Sequence, residues 1–309
     1  QAKLDDLKRI KGLGGTAKRA ELSAVLELAR REGLLQDFEL LCVYTAMEQW
    51  GRHDAPGRLF VNISADAFAS LRKVVDFTIT SNMIDHLENN SFHDMVALPY
   101  MDLSSNQIPT LVNSTFAGML ALQSLTLTSN PLTSIQAGAF LGLPTIYTLQ
   151  LSSNQLQGLD PDAFVGMPLL QNMYLSNNQM TYITPGAFRG LSSLYYLQLN
   201  SNRFPGLVVG AFNGLTALQN LYLQQNVMTK LVANNLVGMP NLRYMTLSNN
   251  AITQIEAGAF TNLTYLNQLD LNNNALPTLD DGMSRGLSQV QYLYLSDNRL
   301  TRIHPSALS

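Results

Sequence analysis

Histidine and carboxylate side chains are the groups of this chain that could bind a metal ion or transfer protons. Two of its four histidines, His86 and His93, lie close in sequence to the acidic residues Asp85, Glu88 and Asp94, a set of donors that a metal site could use. All five fall between two apolar segments, where a solvent-exposed polar loop is the expected structure. No glycine-rich phosphate-binding loop is present. We therefore predict no catalytic residue, no metal site and no cofactor, and we expect that the chain is not an enzyme.

Tyrosine and amide side chains at regular positions point to binding instead. They flank apolar residues that alternate with period two, so they would share the exposed face of a row of short strands. Seven of the twelve tyrosines and no Lys or Arg lie at these positions. The candidate ligand-binding residues are Tyr100, Asp102, Gln150, Asn172, Tyr174, Tyr196, Gln198, Tyr222, Tyr244, Asp270, Tyr292 and Tyr294.

The composition of this face is typical of protein-recognition surfaces, which combine rigid amphipathic rings with adaptable hydrogen-bonding groups. A high β-propensity of Tyr and Thr is the alternative explanation, and it does not account for the lack of Val and Ile there. We predict a protein or peptide ligand anchored on Tyr174, Tyr196, Tyr222 and Tyr244. A nucleic-acid ligand is not expected, because cations are needed to neutralise phosphates.

The elements that carry these residues recur at a constant interval along the chain. Ten asparagines keep this spacing without an insertion or a deletion: Asn82, Asn106, Asn130, Asn154, Asn178, Asn202, Asn226, Asn250, Asn274 and Asn298. Each follows two apolar residues separated by one position, most often an L-x-L pair, as in the sequence LQSLTLTSNPLTSIQAGAFLGL, which reads L-x-x-L-x-L-x-x-N-x-L. A fixed period of this length indicates a solenoid. Residues 74–309 resemble the leucine-rich repeat family with 24-residue repeats.

This resemblance implies an α/β solenoid, an arc of ten parallel strands whose concave face carries the candidate residues. We expect the asparagines to form a continuous ladder, because an amide side chain can satisfy both donors and acceptors of a buried turn. A phenylalanine near the end of seven repeats is expected to fill the convex side. Leu236 and Ser284 stand at that position in the seventh and ninth repeats.

Residues 1–73 differ in composition from the rest of the chain. They contain 12 Lys and Arg and 10 Asp and Glu, against 7 and 12 in residues 74–309, although the net charge of the whole chain is only −3. We predict a module boundary there, with residues 1–73 forming a mainly helical cap over the apolar end of the solenoid. A single cysteine, Cys42, excludes a disulfide framework. No apolar run is long enough to span a membrane.

Residues 22–68 carry a second resemblance. The stretch LARREGLLQDFELLCVYTAMEQWGRHDAPGRLFVNISADAF looks like part of an EAL-type cyclic di-GMP phosphodiesterase domain, and Asn62 would match a metal-coordinating Asn of that family. The E-A-L motif is missing, and one Asn does not make a metal site. The alternatives to a simple cap are therefore a degenerate nucleotide-sensing or regulatory module, and a chimera whose solenoid is a scaffold without a dedicated ligand.

The cellular location is only weakly indicated. Asn-x-Ser/Thr sequences occur at Asn62, Asn89, Asn113 and Asn262 and slightly favour an extracellular or cell-surface location. The chain starts at Gln1 without a Met and stops within the tenth repeat, so we expect the natural protein to be processed or longer. The sequence predicts no particular oligomeric state.

Overall fold

Short parallel strands build the fold in the computed structural model, which describes residues 75–93, 95–280 and 282–307. Ten three-residue strands lie side by side in chain order in one parallel sheet. They are β1 (Asp76–Thr78), β2 (Tyr100–Asp102), β4 (Ser124–Thr126), β6 (Thr148–Gln150), β8 (Asn172–Tyr174), β10 (Tyr196–Gln198), β11 (Asn220–Tyr222), β13 (Tyr244–Thr246), β15 (Gln268–Asp270) and β17 (Tyr292–Tyr294). Neighbouring strands pair equivalent positions of consecutive repeats, as Tyr196 does with Asn220. The predicted row of ten parallel strands is confirmed.

Two-residue strands form four additional parallel pairs beyond the main sheet, β3–β5, β7–β9, β12–β14 and β16–β18. They are β3 (Thr110–Leu111), β5 (Ser134–Ile135), β7 (Gly158–Leu159), β9 (Tyr182–Ile183), β12 (Lys230–Leu231), β14 (Gln254–Ile255), β16 (Thr278–Leu279) and β18 (Arg302–Ile303). The sixth repeat, counted by its asparagine Asn202, has bends instead of a strand at Pro205 and Gly206. A proline cannot donate a ladder hydrogen bond, which fits the interruption.

Turns rather than helices connect the strands, and none of the described residues lies in a helix. Hydrogen bonds between nearby backbone groups close these turns, as from the Leu141 N–H to the Gly138 carbonyl at 3.1 Å. Glycines with positive φ, such as Gly142 at 90°, stop them from continuing. The solenoid is thus made of strands and turns over the described range, without the α component that an α/β class implies. The predicted helical cap at residues 1–73 lies outside the described residues.

The core contains one column of side chains for each position of the repeat. The central residue of each strand from β2 to β15 is buried, and Leu125, Leu149 and Leu221 are fully so. Six phenylalanine rings stack from Phe92 to Phe212, with centroids 5.7–6.3 Å apart and planes within 18°. Leu236 continues this column in the seventh repeat and is fully buried. The aromatic rings thus fill one column of the core, and their assignment to the convex side stays a prediction.

The predicted asparagine ladder is also confirmed, and Asn178 shows its geometry. Its amide nitrogen donates to the carbonyl oxygens of Leu151, Leu175 and Ser176 at 3.0, 3.1 and 3.3 Å. Its amide oxygen accepts from the Leu156 N–H at 3.0 Å. Leu151 and Leu175 belong to consecutive repeats, and each asparagine from Asn106 to Asn298 connects its own repeat to the preceding one in the same way. The residue before each asparagine has a φ between 52° and 59°, which turns the chain out of the strand.

Candidate binding face

The first and third residues of the ten three-residue strands form one surface, which we call the strand face. Each three-residue strand from β2 to β15 buries its middle residue and exposes the two beside it at least in part, apart from Thr246, because successive side chains of a strand point to opposite sides. All twelve candidate residues of the sequence analysis lie on this surface. The structure therefore brings them together on one surface.

A ladder of four tyrosine rings crosses the middle of the strand face. The ring centroids of Tyr174 and Tyr196 are 5.4 Å apart, those of Tyr196 and Tyr222 4.9 Å, and those of Tyr222 and Tyr244 5.1 Å. Interplanar angles of 41–44° give tilted contacts, within the range where aromatic pairs attract. Neighbouring rings therefore restrict each other, which lowers the entropy that a ligand would have to remove on binding.

Burial raises the pKa of several phenols of the ladder. Partial burial, followed by the proximity of the Tyr196 hydroxyl, raises the pKa of Tyr222 well above its usual range. Burial and Tyr196 also raise the pKa of Tyr174, and burial followed by the Asp270 charge raises that of Tyr244. The Tyr196 hydroxyl accepts a hydrogen bond from the Gln198 amide nitrogen at 2.7 Å. A neutral phenol hydroxyl can both donate and accept hydrogen bonds, which suits a recognition surface.

The outer parts of the strand face carry negative charge. Asp76, Asp102 and Asp270 are its charged residues, and neither Lys nor Arg occurs in any of its ten strands. The Asp102 carboxylate accepts from the Ser104 N–H at 2.8 Å and from the Ser104 hydroxyl. Asp76 was not among the candidate residues, although the sequence Asp-Phe-Thr of β1 has the same alternation as the later strands.

Potential catalytic groups do not assemble into a site in the part of the chain that the structure describes. Residues 75–93, 95–280 and 282–307 contain no group of three His, Cys, Asp or Glu residues able to hold a metal ion. His86 and His93 are exposed outside the strands, where the sequence placed them. A Gly-x-Ser-x-Gly sequence, typical of serine hydrolases, occurs at residues 282–286, but a turn without a following helix holds Ser284. The strand–turn–helix context that this motif needs is therefore missing there.

One small cavity lies away from the strand face. It has a volume of about 160 Å³ and is lined by β5, β7 and β9, with Gly158, Asp160 and Tyr182 among its residues. The Tyr182 ring covers Gly158 so closely that a Cβ atom there would lie 2.2 Å from the ring carbon Cζ. The Tyr182 hydroxyl donates to Asp160 at 3.5 Å. This arrangement explains a glycine inside a strand as a site of close approach.

The repeated geometry agrees with a comparison of the sequence with known families. A sequence model described as leucine rich repeat matches residues 57–108, 144–204, 192–252 and 240–300. The chain belongs to the leucine-rich repeat family. The match begins before the boundary predicted at residue 73. Ile63, Phe68 and Leu71 repeat the spacing of Leu87, Phe92 and Met95 in the first described repeat. The division into residues 1–73 and 74–309 stays a prediction.

Solved leucine-rich repeat structures resemble the solenoid. A chain of a TLR13–ssRNA13 complex is 26% identical with a TM-score of 0.69, over 75% of this chain and 34% of its own length. A leucine-rich repeat protein of Leptospira interrogans is 28% identical with a TM-score of 0.61, over 77% of this chain and 58% of its own. A chain in the octameric complex of Latrophilin 3, Unc5D and FLRT2 is 24% identical with a TM-score of 0.64, over 76% and 71%. The last likeness shows the fold alone.

A curated protein matches only a short segment. A UPF0758 protein of Variovorax paradoxus is 74% identical over 31 residues, which are 10% of this chain and 14% of that protein. It is unrelated to the cyclic di-GMP phosphodiesterases and does not support the resemblance of residues 22–68 to them. These residues, Asn62 included, lie outside the described range. No helix able to cross a bilayer occurs within that range.

Proposed function

We propose that this leucine-rich repeat protein is a non-enzymatic recognition module that binds a protein or peptide on its strand face. The observation that carries the proposal is the ladder of four tyrosine rings, partly exposed and surrounded by Gln, Asn, Ser and Thr. Aromatic anchors in a polar surrounding are enriched among the residues that dominate the energy of protein interfaces. A solved structure with the same fold belongs to a complex with other proteins, so the fold is compatible with the proposal.

A nucleic-acid ligand is less well supported, although one structural neighbour is a complex with single-stranded RNA. Aromatic ladders can stack bases, but such sites also track the phosphate backbone with a positively charged groove. The strand face has three carboxylates and no cation. Its charge would therefore repel a phosphate backbone. An extracellular or cell-surface location, slightly favoured by the sequence, stays a prediction.

Affinity capture from a complex protein mixture tests this proposal. The intact chain is compared with the double variant Tyr174→Ala, Tyr222→Ala, which removes two of the four rings. A matched control is Tyr265→Ala, because Tyr265 is 58% exposed and lies off the strand face. We expect a partner that binds the intact chain and the control equally well. Its affinity for the double variant should be at least about tenfold lower, which corresponds to about 1.4 kcal/mol.

Circular dichroism would first establish that the double variant keeps its fold. A partner bound equally by all three proteins would place binding elsewhere on the chain and refute the role of the tyrosine ladder. Equal loss in the control and the double variant would show that tyrosine removal in general, rather than the strand face, causes the effect.

A further inference from the structure

A carboxylate stands among three tyrosines near the C-terminal end of the strand face. Asp270 of β15 pairs laterally with Tyr294 of β17, while Gln268 lies between Tyr244 and Tyr292 in the same register. Strands about 4.8 Å apart bring the carboxylate next to Tyr294 and diagonal to the other two rings. The negative charge of Asp270 contributes to the raised pKa of Tyr244, after burial, as expected for groups in close proximity.

The carboxylate is held in a fixed orientation but is not saturated. One oxygen of Asp270 accepts from the Asn272 N–H at 2.9 Å, and the other accepts from the Thr246 hydroxyl at 3.2 Å. An ionised carboxylate has about four acceptor positions, so two remain for a ligand. Asp270 is half-buried, and Tyr292 and Tyr294 are 51% and 41% exposed. The group is therefore accessible from solvent and has exposed aromatic surface beside it.

The surroundings contribute no competing cation on the strand face. Arg243, which immediately precedes β13, is exposed but outside the face. A desolvated cation gains from a carboxylate through charge-assisted hydrogen bonds and from aromatic rings through the negative potential of their faces. A partner with negative charge would meet repulsion from the same group.

We propose that Asp270, with the rings of Tyr244, Tyr292 and Tyr294, binds an arginine or lysine side chain of the partner peptide. This inference rests on the proposed function and adds a charge requirement to it. The peptide backbone and its other side chains would lie across the tyrosine ladder, and the cation would occupy this end. The partner is thus a basic segment rather than an acidic or phosphorylated one.

Selection from a random peptide library displayed on phage tests the charge requirement. The intact chain, Asp270→Asn and the control Asp297→Asn are used as targets, since Asp297 is an exposed acid in the turn that follows β17. We expect the intact chain and the control to enrich peptides with an Arg or Lys at a constant position. Asp270→Asn is expected to enrich peptides without that preference, because the amide keeps the shape and removes the charge.

A synthetic peptide from the selection then measures the interaction directly. Replacing its arginine by citrulline, which is similar in shape and neutral, is expected to weaken binding to the intact chain at least tenfold. The same replacement should change binding to Asp270→Asn less than twofold, because such a cycle isolates the energy of the pair.

Three outcomes would overturn the inference or the proposal on which it rests. Enriched peptides that are neutral or acidic, but lose binding with Tyr174→Ala, Tyr222→Ala, would refute the cation site and leave the strand face as a binding surface. An equal citrulline effect on the intact chain and on Asp270→Asn would refute the assignment to Asp270. No enriched peptide, or peptides insensitive to the tyrosine double variant, would refute the proposed function as well.

Discussion

Replacing Asn178 by alanine tests the contribution of the asparagine ladder to stability. The substitution removes three hydrogen bonds to carbonyl oxygens. The carbonyl oxygen of Leu151 keeps the Asn154 amide as a donor at 2.9 Å. That of Leu175 keeps the Asn202 amide at 3.0 Å. Because the acceptors are shared between consecutive asparagines, their loss is partial, and each of the three bonds is worth about 0.5 kcal/mol, the lower end of the usual range.

The larger cost comes from a single donor. The Leu156 N–H is buried and donates to the Asn178 amide oxygen at 3.0 Å. Without this acceptor it is left unsatisfied, at a cost of about 1–3 kcal/mol. Together the two contributions predict a loss of about 3 kcal/mol in the free energy of unfolding, or about 6–12 °C in melting temperature for a domain of this size.

Thermal and urea unfolding followed by circular dichroism measure this difference, with Gln179→Ala as the matched control. Gln179 is the next residue and is only half-buried, so its substitution should change the melting temperature by less than about 2 °C, as for most surface positions. Equal melting temperatures of the two variants would refute the assigned role of the asparagines.

Three further changes have expected effects of known sign. The side-chain amide nitrogen and oxygen of Asn235 are buried without a hydrogen-bond partner, at a position where the neighbouring repeats have alanine. Asn235→Ala should therefore raise the melting temperature by about 3 °C, equivalent to about 1 kcal/mol. A lower melting temperature would contradict this account. Gly158→Ala should displace the Tyr182 ring and lower the Tyr182 pKa, now raised by burial and by Asp160, towards 10; an unchanged ultraviolet titration would contradict it. The raised pKa of Tyr222 means that the folded state favours the neutral phenol. The stability that this phenol contributes is therefore complete below about pH 10 and is lost as the pH rises further. The free energy of unfolding in urea should fall less between pH 8 and pH 11 for Tyr222→Phe than for the intact chain. An equal fall for the two proteins would be evidence against this linkage.

The repeated parts of the fold could be predicted from the sequence because every repeat has the same types of residue at the same positions. An asparagine at the same position of every repeat fixed the register, and the structure places Asn178 and its equivalents in the expected ladder. The alternation around Leu149 and Leu221 located the strands and therefore the outward positions of the strand face. All twelve candidate residues lie there as predicted, because period-two alternation determines the side of a strand on which a residue projects.

Contacts between side chains of neighbouring repeats were harder to predict from the sequence. Tyr174 and Tyr196 occupy different positions of their strands, the third and the first, and residue spacing alone does not indicate that their rings meet at 5.4 Å. The burial of Asn235 was also not predicted, because its chemistry is that of a surface residue. The α/β class was expected for the solenoid, but none of the described residues lies in a helix, since residues with positive φ, such as Gly142, end the turns.

The interruption of the phenylalanine column has a consequence for how the array unfolds. Rings stack continuously as far as Phe212, Leu236 replaces the next one, and the sixth repeat also lacks a short strand around Pro205. In a repeat array, cooperativity depends on the coupling between neighbours, so we expect these two adjacent gaps to separate two units that unfold with different stabilities. The tyrosine ladder extends from Tyr174 to Tyr244 across this division. A partner bound along it would join the two units, and amide hydrogen exchange on both sides would slow together.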